Sequence, residues 1–138
     1  LLVGWRITGG FWNALGAYAL LLLFAYAMSW IGAYIGLSMR SVETASTAGL
    51  IWLFPVTFLS NAFVPISSMP TWLQTIAVYN PVSTLVLATR QLFGNPTGIQ
   101  PDYWSMNNPV LYTIGTCALI IAVFATISIR KYKKTTAK

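Results

Sequence analysis

The chain has 138 residues, 57% of them hydrophobic and only 7% charged, with a mean hydropathy of +0.68. Soluble domains carry about 25% charged residues, so the composition excludes a surface wetted all round and points to one membrane-embedded domain. The net charge of +6 does not argue for nucleic acid, because Arg130, Lys131, Lys133, Lys134 and Lys138 crowd the C-terminus beside an apolar run, as a topology anchor does.

The sequence opens "LLVGWRITGG", with no Met, no basic leader and no small-residue cleavage site. Leu1–Val3 reads as the tail of an earlier span, so the chain is expected to be a C-terminal fragment. Residues 14–37 carry no charge and cover about 36 Å as a helix, enough for a bilayer core of roughly 30 Å. Within this span Ser29, Gly32 and Gly36 form a small-residue stripe suited to close helix packing. Tyr26, Trp30 and Tyr34 form an aromatic stripe, which either lines a path for a flat apolar substrate or faces lipid or a neighbouring helix. The short "SMRSVETA" loop follows, with Arg40 and Glu43 spaced to share a helical face, and forces an antiparallel return through a second span at 46–64.

Residues 65–94 cannot continue that span. Pro65, Pro70 and Pro81 each remove a backbone donor and disfavour helix in the residue before them. Between these breaks Ser67 or Ser68 is expected to cap a short helix with Pro70 in its first turn. Trp72, Leu73, Ile76 and Ala77 would share one side of it, with Thr71, Gln74 and Thr75 opposite. A second short helix is expected from about Pro81 to Gly94, a C′ glycine, followed by Asn95-Pro96. Two short apolar helices joined by a break make a re-entrant hairpin, tolerated where protein or a water-filled cavity covers it; the alternative is a hairpin lying flat on the membrane surface. Arg90 sits in the second helix, where an ionisable group marks a candidate functional position. It would either pair with Asp102 or snorkel to the interface.

A last span is expected at 110–129, followed by a basic tail at 130–138. Cys117 lies alone inside it, a small packing residue with no disulfide framework around it. With the C-terminus in the cytoplasm, six cations lie inside and only Arg6 and Arg90 outside, the positive-inside pattern. The sequence has no His, and its two acids, Glu43 and Asp102, fall on opposite sides of the membrane. No catalytic carboxylate pair, nucleophile–base arrangement or metal-ligand cluster can be assembled from it.

The block "FPVTFLSNAFVPISSMPTWLQTIAVYNPVSTLVLATRQLFG" resembles the permease subunits of type-2 ATP-binding-cassette (ABC-2) exporters, in particular the daunorubicin-resistance-like drug-efflux branch. The matching positions are Phe54-Pro55, Ser60-Asn61, Val64-Pro65, Met69-Pro70, Trp72-Leu73-Gln74, Asn80-Pro81 and Arg90, and the resemblance covers most of residues 10–94. It departs at Ser67-Ser68, where many members carry an acid, and at Val82, where Leu or Thr is commoner. The resemblance implies an all-α membrane protein: three transmembrane helices plus a re-entrant or interfacial helical hairpin, the C-terminal half of a six-helix permease. It also implies a multi-pass place in the plasma membrane, a second permease copy, and a separate cytoplasmic ATPase that carries ATP and Mg. The loop with Arg40 and Glu43 would face that ATPase. This chain would bind no cofactor itself, and it has no phosphate-binding Gly-rich loop. The substrate would be a hydrophobic drug-like molecule, or alternatively a lipid or lipid-linked glycan. A non-transporting scaffold or channel subunit is the reading from another class.

Overall fold

A computed structural model describes residue 4, residues 6–95 and residues 97–137. Every regular element among them is helical. Leu1–Val3, read above as the end of an earlier span, lie outside the described residues, as does Lys138.

Helix α1 runs Phe11–Ser38 and α6 runs Pro109–Thr136, each 28 residues and about 42 Å long. Both are long and apolar enough to cross a membrane. They pack side by side and point the same way. Leu20 and Val110 meet around Leu85 and Ala88 at one end. Further along, the Tyr34 and Phe124 rings lie edge to face at 5.7 Å, and Lys131 Nζ donates to Ser38 Oγ at 2.7 Å. Lys131 also sits 5.2 Å from the Tyr34 ring centre, a cation–π contact that helps fix the register of the two helices. The basic tail continues α6 as helix, with Lys133 and Lys134 in the last turn against the negative end of the helix dipole.

Helix α2, Val42–Phe58, returns antiparallel to α1. It starts earlier than expected because Ser41 caps it, Oγ accepting from the Thr44 N–H at 3.2 Å, with Glu43 in the first turn. It also stops earlier than 64. Pro55 leaves the Ile51 carbonyl without its helical donor, and beyond Phe58 the Ser60 hydroxyl and N–H both turn back to the Thr57 carbonyl. Local hydroxyl bonding of this kind competes with helix. Arg40 consequently lies between α1 and α2 rather than on a helix, and no ion pair joins it to Glu43 among the described residues.

The remaining elements form the end of the molecule opposite Lys131: a 3-10 turn at Ile66–Ser68, α3 at Thr71–Tyr79, α4 at Pro81–Phe93 and the single turn α5 at Trp104–Asn107. Helix α4 packs against both α1 and α6. A second core joins Ile66, Met69, Ala77, Val78, Leu87 and Met106 beneath Leu73 and Tyr103.

Candidate lid and the polar pocket beside it

The segment 59–94 climbs, descends and climbs again. The Asn61 N–H donates to Ser83 Oγ at 3.0 Å, level with the start of α4, whereas Pro65, Ile66 and Ser67 stand beside Arg90 near its end. Helix α3 then comes back down, because its last residues lie next to Asn80, whose side chain touches the end of α2. Helix α4 rises from there. The α3–α4 pair is a hairpin whose tip, Asn80-Pro81, points toward the middle of the molecule.

Asn80 fastens the tip twice. Its Oδ1 accepts from the Val82 N–H at 2.9 Å, capping α4 with Pro81 at the first helical position. Its Nδ2 donates to the Val56 carbonyl at 2.6 Å, closing an open acceptor at the end of α2. The C-terminal carbonyls of α3 are satisfied from elsewhere as well: Ser105 Oγ donates to Val78 O at 2.6 Å, and Tyr112 Oη to Tyr79 O at 2.9 Å. Thr113 Oγ1 donates to Thr84 Oγ1 at 3.1 Å, a buried link between α6 and α4.

At the upper end Gly94 takes φ +75°, and its N–H and that of Asn95 return to the Gln91 and Arg90 carbonyls. This is a Schellman ending, which glycine permits. The N–H groups of Thr8 and Gly9 both reach the Phe93 carbonyl, at 3.0 and 3.1 Å, and Thr8 Oγ1 donates to Gly94 O at 2.8 Å. A side chain at Gly9 would overlap the Leu92 carbonyl oxygen, so the segment before α1 clasps the end of α4.

The start of α3 differs from the sequence expectation. Pro70, not Ser67 or Ser68, stands at its N-cap with no side-chain cap; Ser68 instead turns its Oγ to the Pro65 carbonyl, and Gln74 Nε2 donates to Met69 O at 2.8 Å. The inward side of α3 is Leu73, Ala77 and Val78, while Trp72 (69% exposed) and Ile76 (50%) face outward. In a chain with lipid on one side and protein on the other, both faces of a helix are apolar, so composition does not separate them.

Arg90 does not pair with Asp102. Asp102 Oδ1 accepts from Asn107 Nδ2 at 2.8 Å, and among the described residues the Arg90 guanidinium makes no ion pair or hydrogen bond. Arg90 instead lines a cavity of about 320 Å³ together with Asn61, Phe63, Pro65 and residues 97–100. Asn61 is only 6% exposed, yet its side-chain amide has no partner.

In α1, Tyr34 is spent on α6, Trp30 is half-buried with its ring against Tyr26, and Tyr26 is open. Ser29 turns its hydroxyl to the Tyr26 carbonyl at 2.6 Å. Gly32 and Gly36 have open space where a side chain would stand, so no helix of the described chain packs closely on that stripe. They line, with Arg40 and Ser41, a cavity of about 550 Å³ between α1 and α2.

Residues 1–93 match the ABC-2 type transporter family. The chain is also 34% identical over 137 residues, 99% of its own length, to the daunorubicin resistance ABC transporter permease protein DrrB1 of Streptomyces coeruleorubidus. It spans 46% of that protein. No solved structure gives a significant match.

Proposed function

Because the chain belongs to the ABC-2 type transporter family, we propose that it forms part of the permease of an exporter driven by ATP hydrolysis on a separate cytoplasmic subunit. The observation that carries this reading is the family match, together with the similarity to a daunorubicin resistance permease. The proposed substrate class is hydrophobic and drug-like, and two permease copies would enclose its path.

The geometry fits that role. Parallel α1 and α6, with α2 antiparallel between them in sequence, put the Ser38–Lys131 end and the hairpin end on opposite faces. The positive-inside rule then assigns the Lys131 end to the cytoplasm, where the 40–43 loop would meet the ATPase. The α3–α4 hairpin stands at the outer end as a lid. Its backbone ends are closed by Asn80, Ser105 and Tyr112, which is what irregular backbone in a membrane requires. A lid tied to the end of α2 through Asn80 would move when α2 moves, giving the ATPase end a mechanical route to the outer end.

The test is export by the full-length permease co-expressed with its partner ATPase in cells lacking other efflux pumps. Accumulation of daunorubicin, read by its fluorescence, should fall when both subunits are present and recover when the ATPase is made hydrolysis-deficient. Equal accumulation in all three strains would remove the drug-export reading.

A further inference from the structure

The cavity beside Arg90 contains a charge with nothing to balance it. The acids of this chain are Glu43 and Asp102. Glu43 opens α2 at the far end of the molecule, and Asp102 is engaged by Asn107. The other ordinary use of an arginine near a helix C-terminus is to bond the last carbonyls. Here most of those acceptors already have donors: Arg90 O from Asn95, Gln91 O from Gly94, Phe93 O from Thr8 and Gly9, and Gly94 O from the Thr8 hydroxyl, and none is bonded by Arg90. Arg90 is therefore a half-buried guanidinium with its donors free.

Asn61 lines the same cavity, and its side-chain Nδ2 is buried without a partner. A buried amide without a partner is costly, of order 1–3 kcal/mol, and persists where something else completes it. Gln100, which also lines the cavity, turns its Nε2 to the Thr97 carbonyl instead. The rim is apolar and open: Phe63 is 64% exposed and Ile99 92%. Free donors at the base and exposed hydrocarbon at the rim match a ligand with an oxyanion head and an apolar body.

We infer that this cavity binds the phosphate of a membrane phospholipid, with Arg90 and Asn61 holding the oxyanion and Phe63 and Ile99 lying along the acyl chains. The planar guanidinium suits a phosphate bidentately, and a volume of about 320 Å³ leaves room for a headgroup. The bound lipid would join the 61–67 ascent, the end of α4 and the 97–100 loop, bracing the hairpin at the end away from Asn80. This reading rests on the chain being membrane-embedded and is independent of what is exported.

The experiment is native mass spectrometry of the full-length permease, purified in neutral detergent and titrated with phosphatidylglycerol. The wild type should retain lipid, and Arg90→Gln should weaken retention by about tenfold or more, the loss of one charge-assisted hydrogen bond. Arg90→Lys should fall between the two, and Asn61→Leu should lose several-fold, about one neutral hydrogen bond. Arg6→Gln, an exposed cation outside the cavity, should behave as wild type. Equal retention by wild type and Arg90→Gln, each with its native mass and helical circular dichroism, would overturn the site. Loss of lipid from Arg6→Gln as large as from Arg90→Gln would reduce the effect to general surface charge and also overturn it. Displacement of the lipid by millimolar inorganic phosphate, with phosphate retained in its place, would overturn the lipid assignment.

Discussion

Helices α2 and α4 are of similar size, and the more apolar of the two is the exposed one. Helix α2, "VETASTAGLIWLFPVTF", has no buried residue. Helix α4, "PVSTLVLATRQLF", carries three hydroxyls, a Gln and an Arg, and buries Ser83, Thr84, Leu85, Leu87, Ala88 and Thr89. In water this would be inverted. In a bilayer the tails solvate apolar side chains as well as a protein core does, so hydrocarbon gives α2 no reason to seek cover. Polar groups do need partners: α4 buries all three of its hydroxyls, whereas in α2 the Thr47 and Thr57 hydroxyls bond back to the Glu43 and Leu53 carbonyls of their own helix and need no cover. Small and hydroxylated residues also let α4 approach α1 and α6 closely.

The strongest test of this contrast is Asn80→Ala, which removes the α4 cap and the bond to Val56 O together. The expected loss is about 2–3 kcal/mol, one cap and one poorly solvated hydrogen bond, read as a shift in the denaturation midpoint of the full-length permease in mixed micelles. Asn80→Ser should recover about 1 kcal/mol, since serine can cap but cannot reach α2. Equal losses for the two variants would place the whole effect in the α2 link.

Gly94→Ala should come next, at about 1–2 kcal/mol. It places a side chain on a backbone with φ +75° and into the Thr8 hydroxyl. Local hydrogen exchange at residues 8–9 and 90–95 should rise with it, and unchanged exchange there would separate the N-terminal clasp from the helix ending. Ser105→Ala should cost less, about 0.6–1.7 kcal/mol, the range for hydrogen bonds between helices in membranes. The smallest effect should come from α2: Ile51→Ala, 69% exposed, is expected to stay within about 0.5 kcal/mol. A loss as large as that of Asn80→Ala would show α2 to be covered in the assembled permease, and the contrast with α4 would end there.

The same inversion explains what could be read in advance. Long uncharged runs located α1, α2 and α6, and the breaks at Pro70, Pro81 and Gly94 located the hairpin helices, because backbone chemistry is local. Facing directions were not legible. Trp72 and Ile76 look like a core stripe yet face outward, and Gly32 and Gly36 look like a packing motif yet have no close neighbour. The partners of Ser83, Ser105, Thr113 and Tyr112 were not legible, because a hydroxyl can equally bond back to its own helix, as Thr47 and Thr57 do in α2. The Thr8–Gly9 clasp joins residues far apart in sequence, and "RITGG" has no local feature that announces it. Arg90 stands out in the sequence as the ionisable group of the second hairpin helix, but Asp102, the nearest acid in sequence, is engaged by Asn107.

The central claim is that residues 59–94 enter and leave on one side, so that α3–α4 is a re-entrant hairpin and not a crossing. Single cysteines at Ser67, Ile99 and Val42, in a full-length Cys117→Ser background, can be labelled with an impermeant maleimide in intact cells and again after permeabilisation. The account predicts that Ser67→Cys and Ile99→Cys both label in intact cells, and that Val42→Cys labels only after permeabilisation. Labelling of Ser67→Cys and Ile99→Cys from opposite sides would mean that the hairpin spans the membrane, and would contradict it.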